Sequence, residues 1–271
     1  SLLMGSTSGA KAASGYTTRG AGQSFTITIP TGYNALHIQY AVGGGGGATG
    51  GISYDKAGGE SSGRSGGSGA YLSDVIFSVS EGGSYASNTG SGGAGGNQTS
   101  NFGHPKIGSA GSRSRVNGLF IVNPGGGASL TGGGVQGPLA TGGSNGSAGS
   151  ISLTGSRITS GSFFNSSNSL ITIGNVSELR GGPRGTFDSY GNGSAGGWNG
   201  NCGGDNCRIG GRAGATSYGG SVAGGTASSS SGSGTNGGNG SRGSGGGGGA
   251  AQVTGGGSTR GGSGGSGEMR Y

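Results

Sequence analysis

The chain has 271 residues, 80 of them glycine, with 27% hydrophobic and 8% charged residues and a net charge of +7. The low apolar fraction excludes an oily core of ordinary size, and the scarcity of ionisable groups excludes a charge-driven disordered polymer. Only 5 prolines and no strict Gly-X-Y period exclude collagen. Two options remain: a flexible Gly/Ser polymer, or a fold in which glycine itself packs.

Residues 1–22 are small and polar with no period, and read as a leader or a connection to something upstream. Residues 23–271 read as one glycine-rich domain. It opens with "SFTITIP" (24–30), which alternates Phe25, Ile27 and Ile29 on one face. "NALHIQYAV" (34–42) follows, with Leu36, Ile38, Tyr40 and Val42 in step. Two strands with a short Thr-Gly link predict a hairpin. A third strand-like run is "AYLSDVIFSVS" (70–80). Shorter apolar runs occupy 118–123, 150–155 and 168–176, and "GEMRY" (267–271) reads as a closing strand. No segment carries a sustained i, i+3, i+4 stripe, so no helix is expected.

Glycine tracts lie between these runs, starting with the five consecutive glycines 43–47 directly after the second strand. Each ordered glycine costs about 0.5–1 kcal/mol relative to alanine, so ordering 80 costs on the order of tens of kcal/mol. Backbone hydrogen bonds return only about 0.5–1.5 kcal/mol each. Order therefore requires that nearly every glycine N–H and C=O finds a partner. Left-handed threefold extended helices make no internal bonds. Laid side by side without Cβ atoms, they bond in several directions and add Cα–H···O contacts. The expected fold is all-β and irregular: short strands anchoring a sandwich of laterally bonded polyglycine II helices, with exposed loops.

Three other segments, 97–117, 156–168 and 181–212, carry most of the arginines and aromatics outside the strands and read as loops. Phe102, Phe163, Phe164, Phe187, Tyr190, Trp198 and Tyr218 lie in Gly/Ser surroundings that offer little to bury them. They either pack loop on loop or face a ligand, as aromatics on rigidly held loops do at binding surfaces. His104 and Arg184 belong to the same candidate binding loops. Cys202 and Cys207 flank a four-residue spacer with two glycines. A disulfide there would restrict the loop by roughly 2 kcal/mol and imply an oxidising setting. Two cysteines with no nearby histidine make a poor zinc site.

Catalytic motifs are missing. The G-x-S-x-G and G-x-G-x-x-G matches follow from Gly/Ser abundance and lack a strand–helix context. A phosphate-binding loop needs Gly-Lys-Ser/Thr, whereas Lys11, Lys56 and Lys106 follow Ala, Asp and Pro. The acids are scattered, so no metal or other cofactor is expected. Arg-Gly-Gly occurs at Arg180 and Arg260, too few for an RNA-binding segment in a chain of this composition. The reading is a non-enzymatic protein that binds no nucleic acid.

"SFTITIPTGYNALHIQYAVGGGGGATGG" (24–51) resembles the opening of the glycine-rich domains at the ends of bacteriophage tail fibres, where a strand ending in Pro-x-Gly precedes one that enters a glycine tract. "SGGSGAYLSDVIFSVSEGG" (65–83) resembles the next unit, and "GGSGGSGEMRY" (261–271) the closing strand. The resemblance implies a receptor-binding adhesin on the virion, at the distal end of a tail fibre. Its partners would be a host outer-membrane protein or glycan and other tail-fibre chains, a homotrimer being one arrangement it admits. The adhesin tips of T-even-type phages are similar in displaying variable loops on packed polyglycine II helices. An extracellular structural or ice-binding glycine-rich protein is the alternative that the helices alone would serve.

Overall fold

The computed structural model describes residues 2–3, 15–51, 60–96, 107–131, 142–164, 170–173, 187–198, 201–202, 210–215, 235–250 and 259–271. Its ladders are all antiparallel. One sheet has the order Ser189–Gly191, Tyr71–Ser78, Ala35–Val42, Glu268–Arg270, Thr18–Arg19, with Leu2–Leu3 joining the start of Ala35–Val42. Leu2–Leu3 and Thr18–Arg19 both fall within the segment read as a leader. A second sheet has the order Ile151–Leu153, Phe120–Val122, Ser114–Val116, Ser84–Asn88, Ser24–Thr28.

A core joins the two sheets: Leu36, Ile38, Val75, Phe77 and Met269 from the first meet Ile27, Val116, Phe120 and Val122 from the second. Phe77 and Phe120 stack with centroids 5.7 Å apart. The long pair Ala35–Val42 and Tyr71–Ser78 keeps one register throughout, but the face it turns to the core changes partway. Leu36 and Ile38 face the core, but the next core residue is Ala41. Opposite them, Phe77 and Val75 are followed by Leu72. Asp74 sits at this change of face with φ 49°, a left-handed conformation rare for a non-glycine residue. Tyr40, Val42 and Tyr71 consequently cluster on the opposite face. Both faces of Ala35–Val42 are covered, and the strand is buried along all eight residues.

The predicted hairpin of the first two strands does not form. Ser24–Thr28 pairs with Ser84–Asn88, and Ala35–Val42 with Tyr71–Ser78, in different sheets. Each strand has one apolar face. Placing them in opposite sheets buries those faces against each other across the core, which pairing side by side would leave uncovered. The closing strand forms as predicted, Glu268–Arg270 sitting between Ala35–Val42 and Thr18–Arg19.

The strands run without a turn into extended tracts whose bonds repeat every third residue. From residues 43–49, Gly43, Gly46 and Thr49 donate to Ala70, Gly67 and Arg64. Gly44 and Gly47 donate to Ser112 and Ser109, and Gly45 and Ala48 to Gly265 and Gly262. The carbonyls repeat the pattern. Gly44 and Gly47 accept from Gly125 and Ala128, Gly45 and Ala48 from Gly93 and Gly96, and Gly46 and Thr49 from Gly246 and Gly249. Three donor directions run to antiparallel neighbours and three acceptor directions come from parallel ones. This is hexagonal packing of threefold helices, with no bond inside the helix. Residues 63–70 are surrounded in the same way, by tracts at 43–49, 123–126, 146–149, 194–197, 211–214 and 243–249.

Residues 107–113, read as part of a loop from the sequence, form one of these tracts. Gly108 and Ser109 donate to Ala128 and Ala94, and Gly111 and Ser112 to Gly125 and Ser91. Three two-stranded ladders complete the described structure: Ser129–Thr131 with Gly142–Ser144, Gly161–Phe164 with Leu170–Ile173, and Asn201–Cys202 with Glu60–Ser61.

Candidate functional site

The lattice has two unlike ends. One is the strand sandwich. At the other, described tracts end at residues 51, 96, 198 and 250, and described tracts begin at 60, 107, 210 and 259. Tracts 43–51, 90–96, 192–198 and 243–250 run toward that end, and tracts 62–70, 107–113, 145–149 and 259–267 run back from it, as their parallel and antiparallel bonds require.

A polar and aromatic cluster lies at this end. Arg64, near the start of its tract, is only 8% exposed. Its main chain is held by Thr49, whose N–H donates to the Arg64 carbonyl at 2.9 Å and whose hydroxyl accepts from the Arg64 N–H at 2.9 Å. The guanidinium lies 3.7 Å from the centroid of the Trp198 ring, a cation–π stack. Trp198 is half-buried and fixed by its indole N–H, which donates to the Ser62 carbonyl at 2.9 Å. Arg64 Nη1 donates to Asn145 Oδ1 at 3.4 Å, while its Nε is buried without a partner. Burial pulls the Arg64 pKa below its ordinary value. Arg64 and Asn145 do not stand out in the sequence; the available signal is a lone arginine inside a glycine tract that must pack.

The other predicted contact residues divide. Phe163, Phe164, Phe187 and Tyr190 belong to an excursion from the edge of the first sheet, where Ile158 N–H donates to Ile76 and Ser189–Gly191 pairs with Tyr71–Ser78. Phe163 is buried at 5% exposure, and Phe164 and Phe187 are half-buried. Tyr190 is 38% exposed, with the Arg157 guanidinium 4.8 Å from its ring centroid and Arg157 paired to Asp188 at 2.5 Å. The structure thus gathers Trp198 at the lattice end and these four beside the sandwich. Phe102, His104, Arg184, Tyr218 and Cys207 lie outside the described residues, so the proposed Cys202–Cys207 bridge does too.

An open groove of about 810 Å³ crosses the second sheet, lined among others by Gln23, Phe25, Asn88, Arg113 and Arg115. Arg115 Nε donates to Asn88 Oδ1 at 2.9 Å.

A family model for a glycine-rich domain matches residues 8–271. The chain belongs to the glycine-rich domain family. No curated protein matches the chain.

The sandwich of this glycine-rich domain also holds a buried polar chain. His37 and Asp74 are both fully buried, with His37 Nε2 3.0 Å from Asp74 Oδ1 and the Tyr16 hydroxyl 2.9 Å from His37 Nδ1. A neutral imidazole that donates from Nε2 and accepts from Tyr16 at Nδ1 satisfies both ring nitrogens. Burial holds the His37 pKa well below its ordinary value. Above about pH 6.5 the imidazole is neutral both folded and unfolded, and this stability is fully present. Below it the unfolded chain takes up a proton that the folded one resists. Stability therefore falls as pH drops from about 6.5, by up to about 1.4 kcal/mol per pH unit. In urea titrations at stepped pH, His37→Gln is expected to be weaker than wild type at neutral pH and to show a shallower loss over pH 6.5–5. Equal slopes would place the linkage elsewhere.

Proposed function

We propose that this glycine-rich domain is the receptor-binding tip of a bacteriophage tail fibre. It adheres to an outer-membrane protein or glycan on the host cell. The observation that carries the reading is the division of labour between the two ends. The sandwich is closed by a conventional apolar core, whereas the opposite end of the bonded lattice presents a half-buried tryptophan stacked on an arginine. Binding elements on a rigid scaffold lose little entropy when they meet a ligand, because the scaffold has already been ordered. Nothing in the reading calls for catalysis. Adhesion needs only a surface held stiffly and shown in several copies, where avidity adds to weak single contacts. The net charge of +7 favours the anionic outer leaflet of a bacterial cell.

The test is adsorption competition. Purified protein should stain cells of a susceptible strain and slow adsorption of the phage that carries it, in a dose-dependent way. A folded preparation that neither binds such cells nor competes would remove the adhesive reading.

A further inference from the structure

We propose that Arg64 and Trp198 form a subsite for an anionic sugar, a hexose bearing a carboxylate or a phosphate. The inference rests on the adhesive reading for its biological setting and on the geometry of the cluster for its chemistry.

Arg64 is nine-tenths buried, yet among the described residues no carboxylate pairs with its guanidinium. Its hydrogen bonding is incomplete: one long contact to Asn145 Oδ1 at 3.4 Å, and a buried Nε with nothing to donate to. Burying a cation is costly unless it is paired and hydrogen-bonded. Stacking on Trp198 offsets part of that cost and leaves the charge unneutralised. An incoming anion supplies the missing partner. The planar guanidinium fork suits the two oxygens of a carboxylate or phosphate.

The site is built rather than incidental. Arg64 is pinned through its backbone to Thr49, and Trp198 through its indole N–H to Ser62. The stack between the two side chains and the indole bond leave little rotamer freedom to lose on binding. The half-buried indole offers apolar surface for the ring of the ligand. The part-buried Asn145 side chain beside the guanidinium suits a hydroxyl group. A hexose acid or hexose phosphate combines an anion, a ring with an apolar face and several hydroxyls in one molecule. A nucleotide shares the anion but brings a flat base in place of the hydroxylated ring, and it is therefore the competing ligand in the test.

Trp198 is the one tryptophan of the chain, so its emission reports the site directly. The intact protein is titrated with glucuronate, glucose 6-phosphate, glucose and adenosine monophosphate. A saturable change in emission is expected with glucuronate or glucose 6-phosphate, and the stronger of the two identifies the anion. Glucose should give none. Arg64→Gln should weaken binding about ten- to a hundredfold, the loss of one or two charge-assisted hydrogen bonds. Arg64→Lys, which keeps the charge but not the fork, should fall between. No saturable change with either anionic sugar overturns the proposal, and this is decided on unmodified protein even if the variants fail to fold. An equal response to glucose, or tighter binding of the nucleotide, also overturns it. Since no cells are involved, a negative titration beside positive cell binding rejects the subsite and spares the adhesive reading.

Discussion

Gly45→Val is expected to yield no soluble folded protein. A Cβ at Gly45 would lie 1.9 Å from the Ser244 carbonyl oxygen and 2.5 Å from its carbon. Gly46 is as tight, at 1.8 Å from the Gly126 oxygen. Both obstacles are main chain, so no rotamer change relieves them. Moving the 243–250 tract away would break the Gly246 and Gly249 bonds to residues 46 and 49, together with those to Gly66 and Gly63. A domain has only about 5–15 kcal/mol to lose. Gly20→Ala is the control: the nearest atom, Gln23 Nε2, is 4.0 Å from the new Cβ. Its stability should stay within about 0.5 kcal/mol of wild type. Soluble yield and a thermal melt of the two variants read the difference. A Gly45→Val protein that melts like wild type would mean that the tracts do not touch.

Phe77→Ala should cost about 3–5 kcal/mol, the range for removing a buried phenylalanine. Phe77 is fully buried, stacks on Phe120 and backs onto Leu119 and Gly155. It holds one sheet against the other. The loss should appear as a lower urea midpoint with an unchanged slope. Because strands such as Ala35–Val42, Tyr71–Ser78 and Glu268–Arg270 are continuous with lattice tracts, sandwich and lattice are expected to melt together. Trp198 emission reports the far end, and the near-ultraviolet tyrosine signal is weighted toward the sandwich, where Tyr33, Tyr40, Tyr71 and Tyr85 sit. The two curves should coincide. A loss under about 1 kcal/mol would show that the apolar core matters little beside the lattice.

The strands with clean alternation were legible from the residues alone: Ser24–Thr28, Ala35–Val42, Tyr71–Ser78 and Glu268–Arg270 all appear within a residue or two of their predicted positions. So was lateral bonding of the glycine tracts, since composition left no other way to satisfy their main chains. Strand pairing was not. Ser84–Asn88 carries only Tyr85 and Ser87 on its inner face, too weak a period to announce itself as the partner of Ser24–Thr28. Tract 107–113 was missed for a related reason. A tract on the rim of the lattice touches neighbours on part of its circumference, so only Gly108 and Gly111 are forced, while Ser112 and Arg113 point outward. Five consecutive glycines are needed only where neighbours close in on all sides, as at 43–47. At the candidate site, Trp198 stood out as a lone large aromatic. Arg64 did not, because its partners are remote: Asn145 is 81 positions away, and the Ser62–Trp198 bond that frames it spans 136.

The position of the last tract has a consequence for biosynthesis. Gly45 and Ala48 donate to Gly265 and Gly262, and Glu268–Arg270 is inserted between two strands from the first fifth of the chain. A nascent polypeptide still lacking these residues presents its innermost tract with one side bare and its first sheet split. Assembly of this lattice must therefore await synthesis of residues 262–270. Until then the glycine tracts remain hydrated, and the contacts that end this waiting period are among the longest-range in the molecule, the kind that close slowly.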